Sequence, residues 1–260
     1  MAKAAVSHPR SIVVTGASSG LGAAIAVNYA APSVTLFLLG RDPVRLAHVA
    51  AAVRARGATA VPAVIDVRDG PAMRDFLLAS DATVEIDLVG AAAGINVAPE
   101  ATDDGRDPEA AVFDVNVRGA LNAFHPLLPA MRRRGRGQIA LVSSLTAIAP
   151  QADGVAYSAS KAALLAYGLA ARDAWRADGI RVNTICPGFV DTPMAASYRG
   201  WKPFMIDAET AARHVRRGLE RDHGIIAFPR VLFVATRLQQ LLPDALRRLA
   251  MRAFRYRVGR

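Results

Sequence analysis

Apolar and polar positions follow two rhythms along this chain. Short, nearly unbroken apolar runs occupy Ser11–Thr15 (SIVVT), 34–39, 60–65, 86–92, 138–142 and 181–185, with a looser seventh at 224–228. Between them lie stretches of helical spacing. Residues 20–31 are rich in alanine, and 43–56 gather their charges on one side before Gly57 stops the pattern. Runs this short and this apolar read as strands buried on both faces. Their alternation with helices predicts an α/β fold, a doubly wound parallel sheet of about seven strands with helices on both faces.

The turn after the first run reads Thr15-Gly16-Ala17-Ser18-Ser19-Gly20-Leu21-Gly22. Glycines allow a tight bend and let backbone N–H groups approach a pyrophosphate, which the dipole of the following helix favours. A three-glycine turn alone also serves as a plain structural bend. Its place between a strand and a helix is what suits dinucleotide binding. Further on, Tyr157-Ser158-Ala159-Ser160-Lys161 sets a phenol and an ammonium one helical turn apart, on one face. A tyrosine near pKa 10 shuttles protons poorly at neutral pH, and a nearby cation lowers that value toward the useful range. By itself Tyr-x-x-x-Lys is more often a solvated helix face.

Together these segments resemble the short-chain dehydrogenase/reductase family in its short, single-domain branch. The likeness rests on T-G-x-x-x-G-x-G at 15–22, Ser143-Ser144 after the fifth run, and YSASKAAL at 157–164. It extends from Ser11 to Thr192. It implies a Rossmann fold and hydride transfer between a nicotinamide and a carbonyl or alcohol. In that reading Tyr157 is the proton donor, Ser144 orients the substrate oxygen, and Lys161 holds the cofactor ribose and tunes Tyr157. Ser143 is the alternative serine. Asn116, within DVNVRG, resembles the family's N-x-x-G element and would position a water of a proton relay behind Lys161; an Asn bonding to helix backbone is the alternative. The resemblance assigns Gly16, Ser18, Ser19, Gly20, Leu21 and Gly22 to the phosphates. Asp66 and Val67 go to adenine, Ala93 and Gly94 to close approach of the cofactor, and Pro187, Gly188, Val190 and Thr192 to the nicotinamide. Asn183 looks structural. No metal site is expected, and Cys186 reads as an apolar filler.

The family's N-N-A-G segment is here Ala91-Ala92-Ala93-Gly94. The lost amide is expected to be replaced by apolar repacking. The departure also motivates a rival reading, a non-catalytic, nucleotide-binding regulatory protein. A third reading is an epimerase or dehydratase that recycles its cofactor. At the end of the second strand stands Arg41, followed by Asp42. Guanidinium suits a 2′-phosphate, whereas an acid suits a free ribose hydroxyl. NADP(H) is therefore the expected cofactor, with NAD(H) as the alternative if Asp42 turns in.

The chain has 260 residues and 52% hydrophobic content, with no linker or repeat, which suits one domain. We expect that domain over 1–229, with a substrate lid near 193–206 and a basic, amphipathic, helical extension over 230–260. Met194, Tyr198, Trp201, Phe204 and Met205 in the lid favour an apolar substrate, or else pack on the lid itself or a neighbouring subunit. One cysteine excludes an internal disulfide, and 1–10 lacks the apolar core of a signal peptide. A cytoplasmic protein is expected. The net charge is +10, of which +9 lies in 213–260, carried by arginine alone. Charge confined to one end argues against nucleic-acid binding. Asp244 could cap a second helix, with Leu246, Leu249, Ala250, Ala253 and Phe254 on one face and Arg248, Arg252 and Arg255 opposite. Such a helix docks on the domain or a second subunit, or lies peripherally on a membrane. A homodimer or homotetramer is expected from the resemblance.

Overall fold

The structure, a computed structural model, describes residues 8–96, 107–243 and 245–247, and the backbone of 256–258. The first half alternates β1 (Ser11–Thr15), α1 (Gly20–Tyr29), β2 (Thr35–Gly40), α2 (Pro43–Arg54), β3 (Thr59–Val64), α3 (Gly70–Thr83) and β4 (Leu88–Ala91). Then come α4 (Pro108–Phe113), a π-helical turn (Asp114–Arg118), α5 (Gly119–Asn122), α6 (Leu128–Arg134) and β5 (Gly137–Val142). The chain continues through α7 (Val155–Ala174), β6 (Ile180–Pro187), β7 (Val190–Asp191), α8 (Pro193–Ala196), β8 (Tyr198–Gly200) and β9 (Ile206–Asp207). It ends with α9 (Ala208–Glu220), β10 (Ile225–Phe228), α10 (Arg230–Leu238) and β11 (Tyr256–Val258).

Seven strands form one parallel sheet in the order β10-β6-β5-β4-β1-β2-β3. Successive side chains of a strand point to opposite faces, and the apolar runs supply both. Ile12, Val14, Leu36 and Leu38 pack with α1, α2 and α9 through Ile25, Leu46, Ala50 and Val215. Val13, Phe37 and Leu39 face the other way, against Met73 and Leu77 of α3, Phe124 and Leu164. This two-sided burial explains why the strands read as continuous apolar runs. The exception is β3, an edge strand with an exposed Thr59 and Val64, where Pro62 is tolerated because its missing N–H faces no neighbour.

Between β1 and β4 the strand order reverses, which opens a crevice at their carboxyl ends. β4 is shorter than the apolar run 86–92. It stops at Ala91 because the Ala92 and Ala93 N–H groups leave the ladder and donate to the Thr15 hydroxyl, at 3.1 and 3.2 Å. The expected repacking at Ala91-Ala92-Ala93 is thus half the account. Ala92 and Ala93 do pack against the two core layers, but the brace itself is polar, and Thr15 supplies it. Asn183 is structural as expected. It is fully buried, accepts from Gln138 at 2.7 Å, and donates to Asp222 and to the His223 carbonyl, so it joins β5 and β6 to the turn after α9.

The extension read as helical differs at its end. Arg230–Leu238 is helix, but Tyr256–Val258 is a strand, antiparallel to β8 of the lid segment. The second amphipathic helix falls largely outside the described residues.

Candidate active site

A cleft of about 460 Å³ opens over the crevice between β1 and β4. Its floor is the β1–α1 turn. Gly16 has φ +66°, and a Cβ there would lie 2.8 Å from the Ala93 Cα, so only glycine lets these two backbone segments meet. α1 begins at Gly20 with no side-chain cap and no acid in its first turn, whereas α2, α3 and α9 each begin on a capping aspartate. Its N–H groups are left for an anion beside Ser18, Ser19 and Leu21 on the cleft wall. Gly22 packs so tightly that a Cβ would fall 2.4 Å from the Gly16 carbonyl oxygen. This cradle fits the pyrophosphate of a dinucleotide.

At one end of the cleft stand Arg41, Asp66 and Val67. The Arg41 side chain is 62% exposed, and its guanidinium lies 4.0 Å from Asp66. Asp66 accepts from the Arg68 guanidinium and backbone N–H, and the paired arginine holds its carboxyl below the usual range. Asp42 does not turn in. It caps α2, accepting from the Arg45 N–H at 3.0 Å and from the Arg45 guanidinium. The pair Asp42-Pro43, an acid at N-cap followed by proline at N1, was the sequence signal for capping, and it went unused.

At the other end α7 presents Tyr157 and Lys161, and the loop after β5 presents Ser144. The Lys161 ammonium lies 5.5 Å from the centre of the Tyr157 ring and donates to the Val142 carbonyl at 2.8 Å. It is 3% exposed, and burial pushes its pKa down to about 8. Ser143 also lines the cleft, but its hydroxyl donates to the Lys161 carbonyl at 2.7 Å. Ser144 accepts from the Thr146 N–H, which leaves its hydroxyl proton for another partner.

Asn116 is fully buried in the π-helical turn, a distortion that often marks functional sites. Its side chain accepts from the Ile95 N–H at 2.8 Å and donates to the Ile95 carbonyl and to Ser160, both at 3.0 Å. Ser160 in turn donates to the Tyr157 carbonyl. The Asn116 side chain thus clamps the β4 loop to α7 beneath the cleft rather than lining it. Gly94 sits between: a Cβ there would be 3.2 Å from the Lys161 ammonium and 3.3 Å from the Asn116 carbonyl oxygen.

Pro187, Gly188, Val190 and Thr192 line the cleft between these ends. Thr192 accepts from the Ala195 N–H and so starts the lid as α8. Tyr198, 9% exposed, accepts from the Asn96 amide at 3.2 Å, tying the lid to the β4 loop. The sequence reading missed Leu232, Ala235 and Thr236 of α10 and Gln239 just after it, which complete the far wall with Leu145, Thr146, Ala149 and Gln151. The apolar run 231–242 held the signal for α10. What α10 packs against is a tertiary fact.

Comparison with known proteins agrees with this geometry. A family model described as short chain dehydrogenase matches residues 10–203. An uncharacterized oxidoreductase of Myxococcus xanthus is 35% identical over 247 residues, covering 95% of this chain and 98% of its own. A short-chain dehydrogenase from Mycobacterium paratuberculosis bound to NAD superposes with a TM-score of 0.72 at 28% identity, over 84% of this chain and 94% of that one. A Sphingobium yanoikuyae short-chain dehydrogenase in complex with NADPH shares the fold, with a TM-score of 0.77 at 23% identity over 93% and 94% of the two chains. The chain belongs to the short-chain dehydrogenase/reductase family and is an oxidoreductase of nicotinamide chemistry.

Proposed function

We infer that the protein is an NADPH-dependent reductase of a ketone or aldehyde, reversible to alcohol oxidation. The observation that carries this reading is the buried Lys161 beside Tyr157, in a cleft whose lining also includes the exposed Arg41. When bound, the nicotinamide supplies or accepts the hydride. The residues of the chain do the rest. Tyr157 holds the proton that passes to the substrate oxygen. Ser144 has a free hydroxyl proton with which to hold that oxygen in place. Lys161, as a cation, stabilises the phenolate left on Tyr157 and so makes proton release feasible near neutral pH. Asn116 keeps Gly94, Ile95 and α7 in register.

The preference for NADPH is supported by Asp42, whose carboxylate is engaged as a helix cap, and by Arg41, which is exposed at the adenosine end. The Thr15 bonds to the Ala92 and Ala93 N–H groups hold the loop at Ala91-Ala92-Ala93 in place, which supports the catalytic reading over the non-catalytic one. Calorimetric titration with NADPH and NADH, followed by turnover of a ketone and aldehyde panel, tests the proposal. Tyr157→Phe should keep its affinity for NADPH and lose turnover by roughly a hundred- to ten-thousandfold. Retained turnover in that variant would remove Tyr157 from the chemistry.

A further inference from the structure

The cleft mouth is framed by two segments that contain no acid, 192–206 and 223–243. Both carry basic and large apolar side chains outward. The inner side of α10, through Leu232 and Thr236, lines the cleft together with Gln239 just after it. Its outer side exposes Val231, Val234 and Leu238, and the stripe continues through Leu241, which is 81% exposed, to Leu246. On the lid, Trp201 and Phe204 are 60% and 58% exposed. Arg199 of β8 and Arg230 and Arg237 of α10 are exposed among them.

We propose that this face docks on an anionic lipid bilayer and opens the cleft toward it, so that the substrate is an apolar carbonyl or alcohol drawn from the membrane. The second half rests on the cleft being the substrate site; the docking itself does not. A row of exposed aliphatic and aromatic side chains marks an interaction surface. Two-fold self-association through it would bring two equally basic surfaces together, with Asp244 the one acid between positions 223 and 246 to answer Arg230 and Arg237. The complementary partner is therefore negative, and the apolar stripe between the arginines suits insertion at the headgroup boundary. Among the described residues no helix is long and apolar enough to cross a membrane, so the contact is peripheral. Each basic side chain close to an anionic surface raises the partition coefficient by roughly fivefold.

The test is sedimentation of the full chain with phosphatidylglycerol–phosphatidylcholine vesicles and with phosphatidylcholine alone. Binding should be at least about tenfold stronger to the anionic vesicles and fall steeply in high salt. Val234→Glu with Leu238→Glu, outside the cleft lining, should abolish it without changing the Tm. Should that pair fail to fold, Arg230→Glu with Arg237→Glu should weaken binding by roughly twentyfold or more. Absence of binding to anionic vesicles overturns the proposal. So does a folded V234E/L238E protein that still binds them, or one whose only change is a smaller particle mass. Anionic-vesicle binding without turnover of any carbonyl would instead overturn the reductase reading and leave the docking standing.

Discussion

At the scale of single residues, the cleft divides into a charged recognition end and a protonic end. Arg41 makes a long contact with Asp66 and is otherwise turned to solvent, so an incoming phosphate competes with one weak, exposed ion pair. Arg41→Glu should weaken NADPH binding by roughly ten- to a hundredfold, the worth of a charge-assisted hydrogen bond, and leave NADH nearly unchanged; parallel titrations check this. Lys161 gives a pH signature. Its pKa in the folded protein, about 8, lies below the ordinary lysine value of 10.5. Between those two values the unfolded chain binds the extra proton, so stability should rise with pH across that window. Measured without cofactor, that rise should be on the order of 3 kcal/mol for this group and should vanish in Lys161→Met. Equal pH slopes for the two proteins would show that the ammonium is better solvated than its burial suggests.

At the scale of elements, polar side chains join what apolar patterning merely stacks. Thr15 ends β4 and fixes the loop beneath the cofactor cradle. Asn183 joins β5, β6 and the turn after α9. Asn183→Leu would remove one of the two acceptors of the Gln138 amide, which keeps the Leu219 carbonyl, and leave the Asp222 carboxylate and the His223 carbonyl without the amide donor. The expected cost is about 2–3 kcal/mol, read as a fall in Tm of roughly 4–12 °C. A shift under about 1 °C would mean that water replaces the amide. The strands and most helices were legible at this scale, because burial on both faces writes itself as apolar runs and the helix starts carry Asp-Pro or Asp capping signals. The Thr15 brace was not legible. A threonine at a strand end has no pattern of its own, and its partners lie 77 and 78 residues away.

At the scale of the whole molecule, exposed large apolar side chains gather on several faces, two of which bear on partners. One is the mouth of the cleft, with Trp201, Phe204 and the outer side of α10. The other is the outer face of α4 and α7, where Phe113 and Leu169 are 42% and 39% exposed. If the chain forms a dimer or tetramer, this is where we expect the contact. Leu169→Glu should then halve the particle mass seen by light scattering while the Tm falls. An unchanged mass would place the contact elsewhere.

The sequence by itself determined the sheet, the glycine cradle and the pair Tyr157 and Lys161, because each depends on residues close along the chain: a strand's alternation, a turn, one turn of helix. Tertiary structure alone decided three other matters. It left Arg41 on the cleft wall beside Asp66. It turned Asn116 into a clamp on the β4 loop. It folded α10 back as a wall of the cleft, although the apolar run that forms it lies about 75 residues beyond Tyr157. Each of these depends on which distant surface a side chain meets, and hydrophobic spacing records that a face is buried without recording what buries it.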